Sequence, residues 1–257
     1  MQRKQQLLDV LGLGNLAHPY VVHAHRLRRN ILRSDVRLRY NYLHNNAEPK
    51  LHVGGGWHRL DGWLNTDIEL IPDVMRMDAT ERFPFQDGAF QYVYTEHMIE
   101  HIPYQQGSHM LRECHRVLRK GGLIRVTTPD LAAVTGLCNC DLSSEQREYL
   151  LWFCQTFVPQ ECPRNAASAI NAMFSNWGHR FIYDEDTLAE VMRAAGFSSI
   201  KRWSLGDSAD PQLQKLENEQ RYPAGLLDFE SLALEGRKED LTAIQGDSRC
   251  SSNLRTR

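Results

Sequence analysis

The residues whose types and spacing could do chemistry fall into two groups. In the first, Leu51-His52-Val53 runs into Gly54-Gly55-Gly56, Asp67 follows thirteen residues after Gly54, and Asp78 closes the next apolar run as Met77-Asp78-Ala79. Glycines let a backbone turn approach a ligand closely. A carboxylate ending a second strand can accept from both hydroxyls of a ribose, and one ending a third strand can accept from the exocyclic amine of an adenine. The loop is neither a dinucleotide fingerprint nor a P-loop, because Arg59 stands where GxGxxG needs its last glycine and no GK[ST] follows.

The second group is Glu96-His97-Met98-Ile99-Glu100-His101. On a helix His97 and His101 would share a face and could hold zinc, with Glu100 as base. A zinc hydrolase on this HxxEH run is therefore an alternative function, but the run follows a strand within a nucleotide-site series, and no metal is expected. Cys138, Cys140, Cys154 and Cys162 lack a recurring metal-site spacing and read as plain thiols.

These groups need a scaffold that places strand ends along one edge. Short strand-like runs alternate with helical ones from Lys50 on, which predicts an α/β fold, doubly wound, with a mostly parallel seven-stranded Rossmann-like sheet. Strands are expected at Lys50 to Val53, Trp63 to Thr66, Val74 to Met77, Phe90 to Thr95, Leu123 to Thr128, Phe197 to Trp203 and Asp228 to Leu234. Gln106 to Leu118 reads as a helix ended by Gly121-Gly122, and Asp184 caps another that buries Leu188, Val191, Met192 and Ala195 before Gly196. Between them, Asp130 to Gly178 reads as a helical insert carrying Trp152, Phe153, Phe157, Phe174 and Trp177, with a capping box at Ser143 and Gln146. Leaving the sheet after the fifth strand, it is placed to be an acceptor-side cap.

Three regions follow: 1–49, a basic helical lid segment in which Arg26, Arg28, Arg29, Arg33, Arg37 and Arg39 surround Asp35; 50–244, the ligand-binding domain; and 245–257, a polar tail expected to be disordered. The 257 residues carry 30 Lys+Arg against 32 Asp+Glu, a formal net charge of −2, without the field of a dedicated nucleic-acid binder. No apolar run approaches the ~18 residues of a membrane span, and Met1-Gln-Arg-Lys-Gln-Gln has no signal-peptide core after it. The six cysteines are then expected reduced in a cytoplasmic setting.

Taken together, Gly54-Gly55-Gly56, Asn65-Thr66-Asp67, Met77-Asp78-Ala79, Phe83-Pro84-Phe85, Phe90-Gln91-Tyr92-Val93, Glu96-His97-Met98-Ile99-Glu100-His101 and Val117-Leu118-Arg119-Lys120-Gly121-Gly122 resemble a class I S-adenosylmethionine-dependent methyltransferase. The likeness is to the methyltransferase type 11 group, particularly small enzymes found with polysaccharide biosynthesis. It is strong from Lys50 to Asp130 and looser through His179-Arg180-Phe181-Ile182-Tyr183-Asp184. The first helix is expected to be shortened, since ten residues separate Gly56 from Asp67.

The resemblance implies S-adenosylmethionine as cofactor and O- or N-methylation of a small-molecule or saccharide acceptor. Gly54, Gly55 and Gly56 would face the methionine moiety, Asp67 the ribose, Asp78 and Ala79 the adenine, with Glu96 and His97 beside the sulfonium. For removing a proton from the acceptor the candidates are His97, His101, Asp130 and His179, of which His97 and His179 are favoured as catalytic. Displacement at the aminocarboxypropyl arm, releasing methylthioadenosine, is the other alternative. Nucleic acid and integral membrane association are not expected; a homodimer is allowed.

Overall fold

The computed structural model describes residues 34–239. Seven strands form one sheet in the order β3-β2-β1-β4-β5-β7-β6: β1 Lys50–Val53, β2 Leu64–Asp67, β3 Met75–Arg76, β4 Phe90–Glu96, β5 Leu118–Pro129, β6 Phe197–Trp203 and β7 Ser231–Lys238. Strands β1 to β5 run parallel, whereas β7 pairs antiparallel with both β5 and β6. The doubly wound, mostly parallel architecture expected from the alternating pattern is thus the one observed. The order reverses between β1 and β4, the point at which open α/β sheets place ligands beyond their strand ends.

Helices α1 Ser34–Asn45, α2 Tyr104–Val117, α3 Leu131–Gly136, α4 Ser144–Phe157, α5 Ala166–Ser175, α6 Glu185–Ala194 and α7 Leu226–Glu230 complete the described fold. Because strand side chains alternate between faces, each face has its own core. Leu51, Val53, Val93, Ile124 and Val126 share one cluster with Met110, Leu111 and Cys114 of α2 and Leu188, Val191 and Met192 of α6. From the neighbouring positions come His52, Tyr94 and Arg125, which are buried beneath the long connection between β6 and β7. Leu213 and Leu216 of that connection pack on Trp63, Tyr92 and Tyr94.

No helix forms between β1 and β2. Asn65 braces the turn there, its side chain accepting from the Leu60 amide and donating to the Leu60 carbonyl at 2.9 and 3.0 Å. The β6–β7 connection occupies the face a first helix would cover.

Two local expectations are corrected. Helix α2 stops at Val117 because Leu118 turns extended, and Gly121-Gly122 lies inside β5, where its pairing with β4 slips register. Asp228 to Leu234 is not one strand: Gly225, at φ +82°, opens α7, whose Leu226 and Phe229 pack on the insert, and β7 begins only at Ser231. Elsewhere local signals hold, including the reciprocal Ser143–Gln146 capping box and the Asp184 cap on Thr187.

Of the 1–49 segment, α1 is described: it runs along the β3 edge, with Asp35 accepting from the Arg76 amide and Arg39 donating to the Pro84 carbonyl. Arg26, Arg28, Arg29 and Arg33, and the tail from 245, lie outside the described residues. Among the described residues no helix is long and apolar enough to cross a membrane.

Candidate functional site

Three loops meet at the carboxyl edge of β1, β2 and β3. Gly54 and Gly56 take left-handed backbone conformations at φ +68° and +55°, where a side chain is strained. Both faces of the turn are already packed: a β-carbon at Gly54 would lie 2.2 Å from Met98 Cγ, and one at Gly55 2.3 Å from the His52 ring. Asp67 locks the turn, its two oxygens accepting at 2.8 Å from the amides of Gly56 and Glu69. Each oxygen keeps further acceptor capacity, and the side chain is half-buried, so it fits a ribose diol. On the adjoining loop, Asp78 Oδ1 accepts from the Thr80 amide and hydroxyl, and Ala79 is likewise half-buried.

Glu96, at the end of β4, is spent inside the protein. Its carboxylate, 3% exposed, accepts from His58 Nδ1 at 3.1 Å, the Asn218 amide at 2.9 Å and Arg221 at 2.9 Å. Burial alone would raise its pKa; the hydrogen bond from His58, the Arg221 charge and the Asn218 amide override that and bring it to about 2. A fixed negative charge therefore ties the glycine turn to the β6–β7 connection.

Two cavities flank this carboxylate. The larger, an open cleft of about 940 Å³, lies between Trp57, His58 and Arg59 and the connection at Lys215 and Asn218. It contains none of the expected bases. The smaller, about 200 Å³, is lined by His97, Glu100, His101, His179, Arg221 and Glu230 under Phe157, Met173 and Trp177 of the insert. Neither is lined by Asp67 or Asp78.

The HxxEH run does not form the helix that a peptidase-type zinc site needs. His97 sits at φ +46° and only Ile99–His101 makes a single 3-10 turn, so His97 and His101 do not share a helical face. His97 has both nitrogens engaged, Nδ1 3.3 Å from Glu100 Oε1 and Nε2 3.2 Å from Ser231 Oγ. Burial would lower its pKa, but the adjacent Glu100 carboxylate raises it above the ordinary histidine value, which favours the imidazolium.

His179, from the far end of the insert, accepts the opposite fate. Its Nδ1 lies 2.6 Å from the Met173 carbonyl and must donate to it, which leaves the lone pair on Nε2. Burial lowers its pKa, so the neutral ring prevails. Its ring centroid is 4.8 Å from that of His101. Asp130, the fourth candidate, is corrected to a structural role: it caps α3 at the Ala132 amide, pairs with Arg202 at 3.0 Å and is 3% exposed.

Residue spacing alone did not reveal His52, His58, Arg221, Tyr222 or Glu230. Glu230 is buried and accepts from the hydroxyls of Tyr149 and Tyr222, with burial pushing its pKa up. These partners are remote in sequence; the one local signal was a histidine and a tyrosine at facing positions of β1 and β4, where a helix-covered parallel sheet would carry aliphatics.

Residues 61–126 match the family described as "Methyltransferase domain". No curated protein matches the chain. Among solved structures, it is similar to a SAM-dependent methyltransferase, possible histamine N-methyltransferase, of Thermotoga maritima (16% identity, TM-score 0.44, covering 84% of this chain and 98% of that one). Another is a SAM-dependent methyltransferase of Archaeoglobus fulgidus (14%, TM-score 0.46, 85% and 99%). A third is phosphoethanolamine N-methyltransferase 2 of Haemonchus contortus, in complex with phosphomonomethylethanolamine and S-adenosylhomocysteine (14%, TM-score 0.42, 81% and 53%). The domain match, on a sheet of this order, makes methyl transfer the reaction class and S-adenosylmethionine the cofactor.

Proposed function

We propose that this class I S-adenosylmethionine-dependent methyltransferase domain methylates an oxygen or nitrogen of a small-molecule or saccharide acceptor, whose reacting end enters the cavity under Phe157, Met173 and Trp177. The cofactor supplies the electrophile, a methyl group on a sulfonium. Gly54, Gly55 and Gly56 line its methionine moiety, Asp67 accepts from the ribose hydroxyls, and Asp78 with Ala79 borders the adenine. Glu96 acts at one remove, holding His58 and Arg221 against the turn.

Activation of the acceptor falls to His179. The single observation that carries this reading is the Nδ1 contact to the Met173 carbonyl, which aims a neutral Nε2 lone pair at the cavity's histidine cluster. His97, held as an imidazolium against Glu100, orients the cluster and does not take up a proton. Three aromatic or thioether side chains above exclude water from the transfer. Five free cysteines among the described residues support a reducing, cytoplasmic setting.

Incubation with S-adenosylmethionine and a panel of amines and sugars should yield S-adenosylhomocysteine; methylthioadenosine as product would overturn methyl transfer. His179→Asn should lower kcat by about 100-fold with unchanged cofactor affinity. Asp67→Ala should do the reverse, weakening cofactor binding by about 2–3 kcal/mol in a folded protein. Full turnover in His179→Asn would remove that residue from the mechanism.

A further inference from the structure

The acceptor cavity holds an arrangement that proton removal alone does not explain. Glu100 is completely buried, and its Oε1 has no hydrogen-bond partner. That oxygen is ion-paired with His97 Nδ1 at 3.3 Å without an aligned hydrogen bond, and it lies 4.0 Å from His101 Nε2. One ligand atom each from Glu100, His101 and His179 lies within 4.8 Å of the other two.

We propose that Glu100, His101 and His179 bind a divalent first-row cation of the Zn²⁺ or Mn²⁺ kind, which coordinates the acceptor's oxygen or nitrogen. This deepens the function proposed above and rests on it for the identity of the occupant. Two imidazoles and one carboxylate on one side of an ion, with remaining positions open, suit such metals and leave room for a substrate atom.

The surroundings are those a ligand set needs. His179 Nδ1 is tied to the Met173 carbonyl, the outer contact that presents Nε2 to a metal. Glu100 Oε2 accepts from the Thr128 hydroxyl at 3.0 Å, which fixes the carboxylate with Oε1 turned toward His97 and His101. Drawing the donors to bonding distances of about 2.0–2.2 Å needs contraction by roughly an ångström. His101 can supply it, since its side chain is 37% exposed on a single 3-10 turn.

His97 belongs to the outer shell of the site. Its Nε2 is bonded to Ser231 Oγ, and its Nδ1 faces the same Glu100 oxygen as His101, at 3.3 Å. In the reaction, a coordinated hydroxyl loses its proton to solvent at the cavity mouth beside the exposed Arg221. The resulting oxygen attacks the methyl carbon, the carbon–sulfur bond breaks, and its electron pair stays on sulfur. With the ion bound, the Nε2 lone pair of His179 is spent on the metal, so this residue activates the acceptor through the ion instead of taking the proton itself.

The purified full chain, stripped with a chelator and then exposed separately to ZnCl₂ and MnCl₂, should retain about one equivalent of one of them after desalting, by elemental analysis. His101→Gln and His179→Asn should each weaken retention by about 10-fold or more, with S-adenosylmethionine affinity by calorimetry unchanged, which shows them folded. Loading with Co²⁺ should give visible ligand-field bands that both variants lose. Absence of retention in folded wild type, or retention in both variants equal to that of wild type, overturns the site. If methyl transfer survives chelation while His179→Asn slows it, the cation fails and the acceptor reading stands. If the cation binds with this residue dependence but no acceptor is methylated, the site stands and the function reading fails.

Discussion

The two faces of the sheet are built from different materials. On one, α2 and α6 lay Met110, Leu111, Cys114, Leu188 and Met192 onto aliphatic strand residues, all of them buried. On the other, Arg125 is fully buried between Glu217 and Glu235, 2.7 Å from each, and also donates to the carbonyls of Asp207 and Ser204. His52 stacks on Tyr94 at 5.2 Å beside them. One face is held by area removed from water; the other is held by a few directed contacts that fix where an irregular connection must lie. The second kind of face carries Asn218 and Arg221 to Glu96, so the polar face positions the site while the apolar face supports it.

This contrast predicts unequal responses to deletion. Arg125→Ala strands two carboxylates in the interior and should cost about 3–5 kcal/mol in urea unfolding. Leu111→Ala on the helical face should cost about 2–4 kcal/mol, and, unlike Arg125→Ala, should leave cofactor affinity unchanged in whatever fraction is folded. Equal loss of affinity in both variants would erase the division of labour.

Acid should discriminate the faces next. Burial holds His52 neutral and lowers its pKa to about 4, with the Asn65 hydrogen bond only partly opposing. The unfolded chain, with an ordinary histidine near 6.5, binds the extra proton first, so stability is complete above about pH 6.5 and falls as pH drops toward about 4. The loss across that window should be about 2–3 kcal/mol, and His52→Phe should flatten it. An unchanged slope in that variant would mean that His52 is not the titrating group.

The smallest effect should be a gain. Lys215 lies in the polar-face connection at φ +54°, a conformation that costs a side chain energy, and its amide already donates to the Gly206 carbonyl at 3.0 Å. Lys215→Gly should therefore raise stability by about 0.5–1 kcal/mol, read as a higher urea midpoint.

What was legible in the sequence follows the same division. Period and caps located β1, α2, α4 and α6 because each signal lies within a few residues: Ser143 with Gln146, Asp184 with Thr187, or the apolar face of Met110, Leu111 and Cys114. Gly54, Asp67 and Asp78 could be placed because a strand end announces itself locally. The partners of Arg125 stand 92 and 110 residues away, and no window of periodicity contains such a pair. His179 likewise stands 79 residues from Glu100, which is why the histidines could be named but not their grouping. His97 and His101 were joined by an assumed helix; the left-handed backbone at His97 breaks it and hands the partnership to His179.

Strand β7 lies between β5 and β6 although it comes last in the described chain. During synthesis, then, β5 emerges more than a hundred residues before its second neighbour, with one row of amides and carbonyls unpaired and Arg125 lacking Glu235. A nascent chain in that state offers an open sheet edge to any other strand nearby. A ribosome stall or a nonsense codon just before Ser231 would therefore yield a sticky, association-prone product, and soluble yield should depend on how promptly the last strand is delivered.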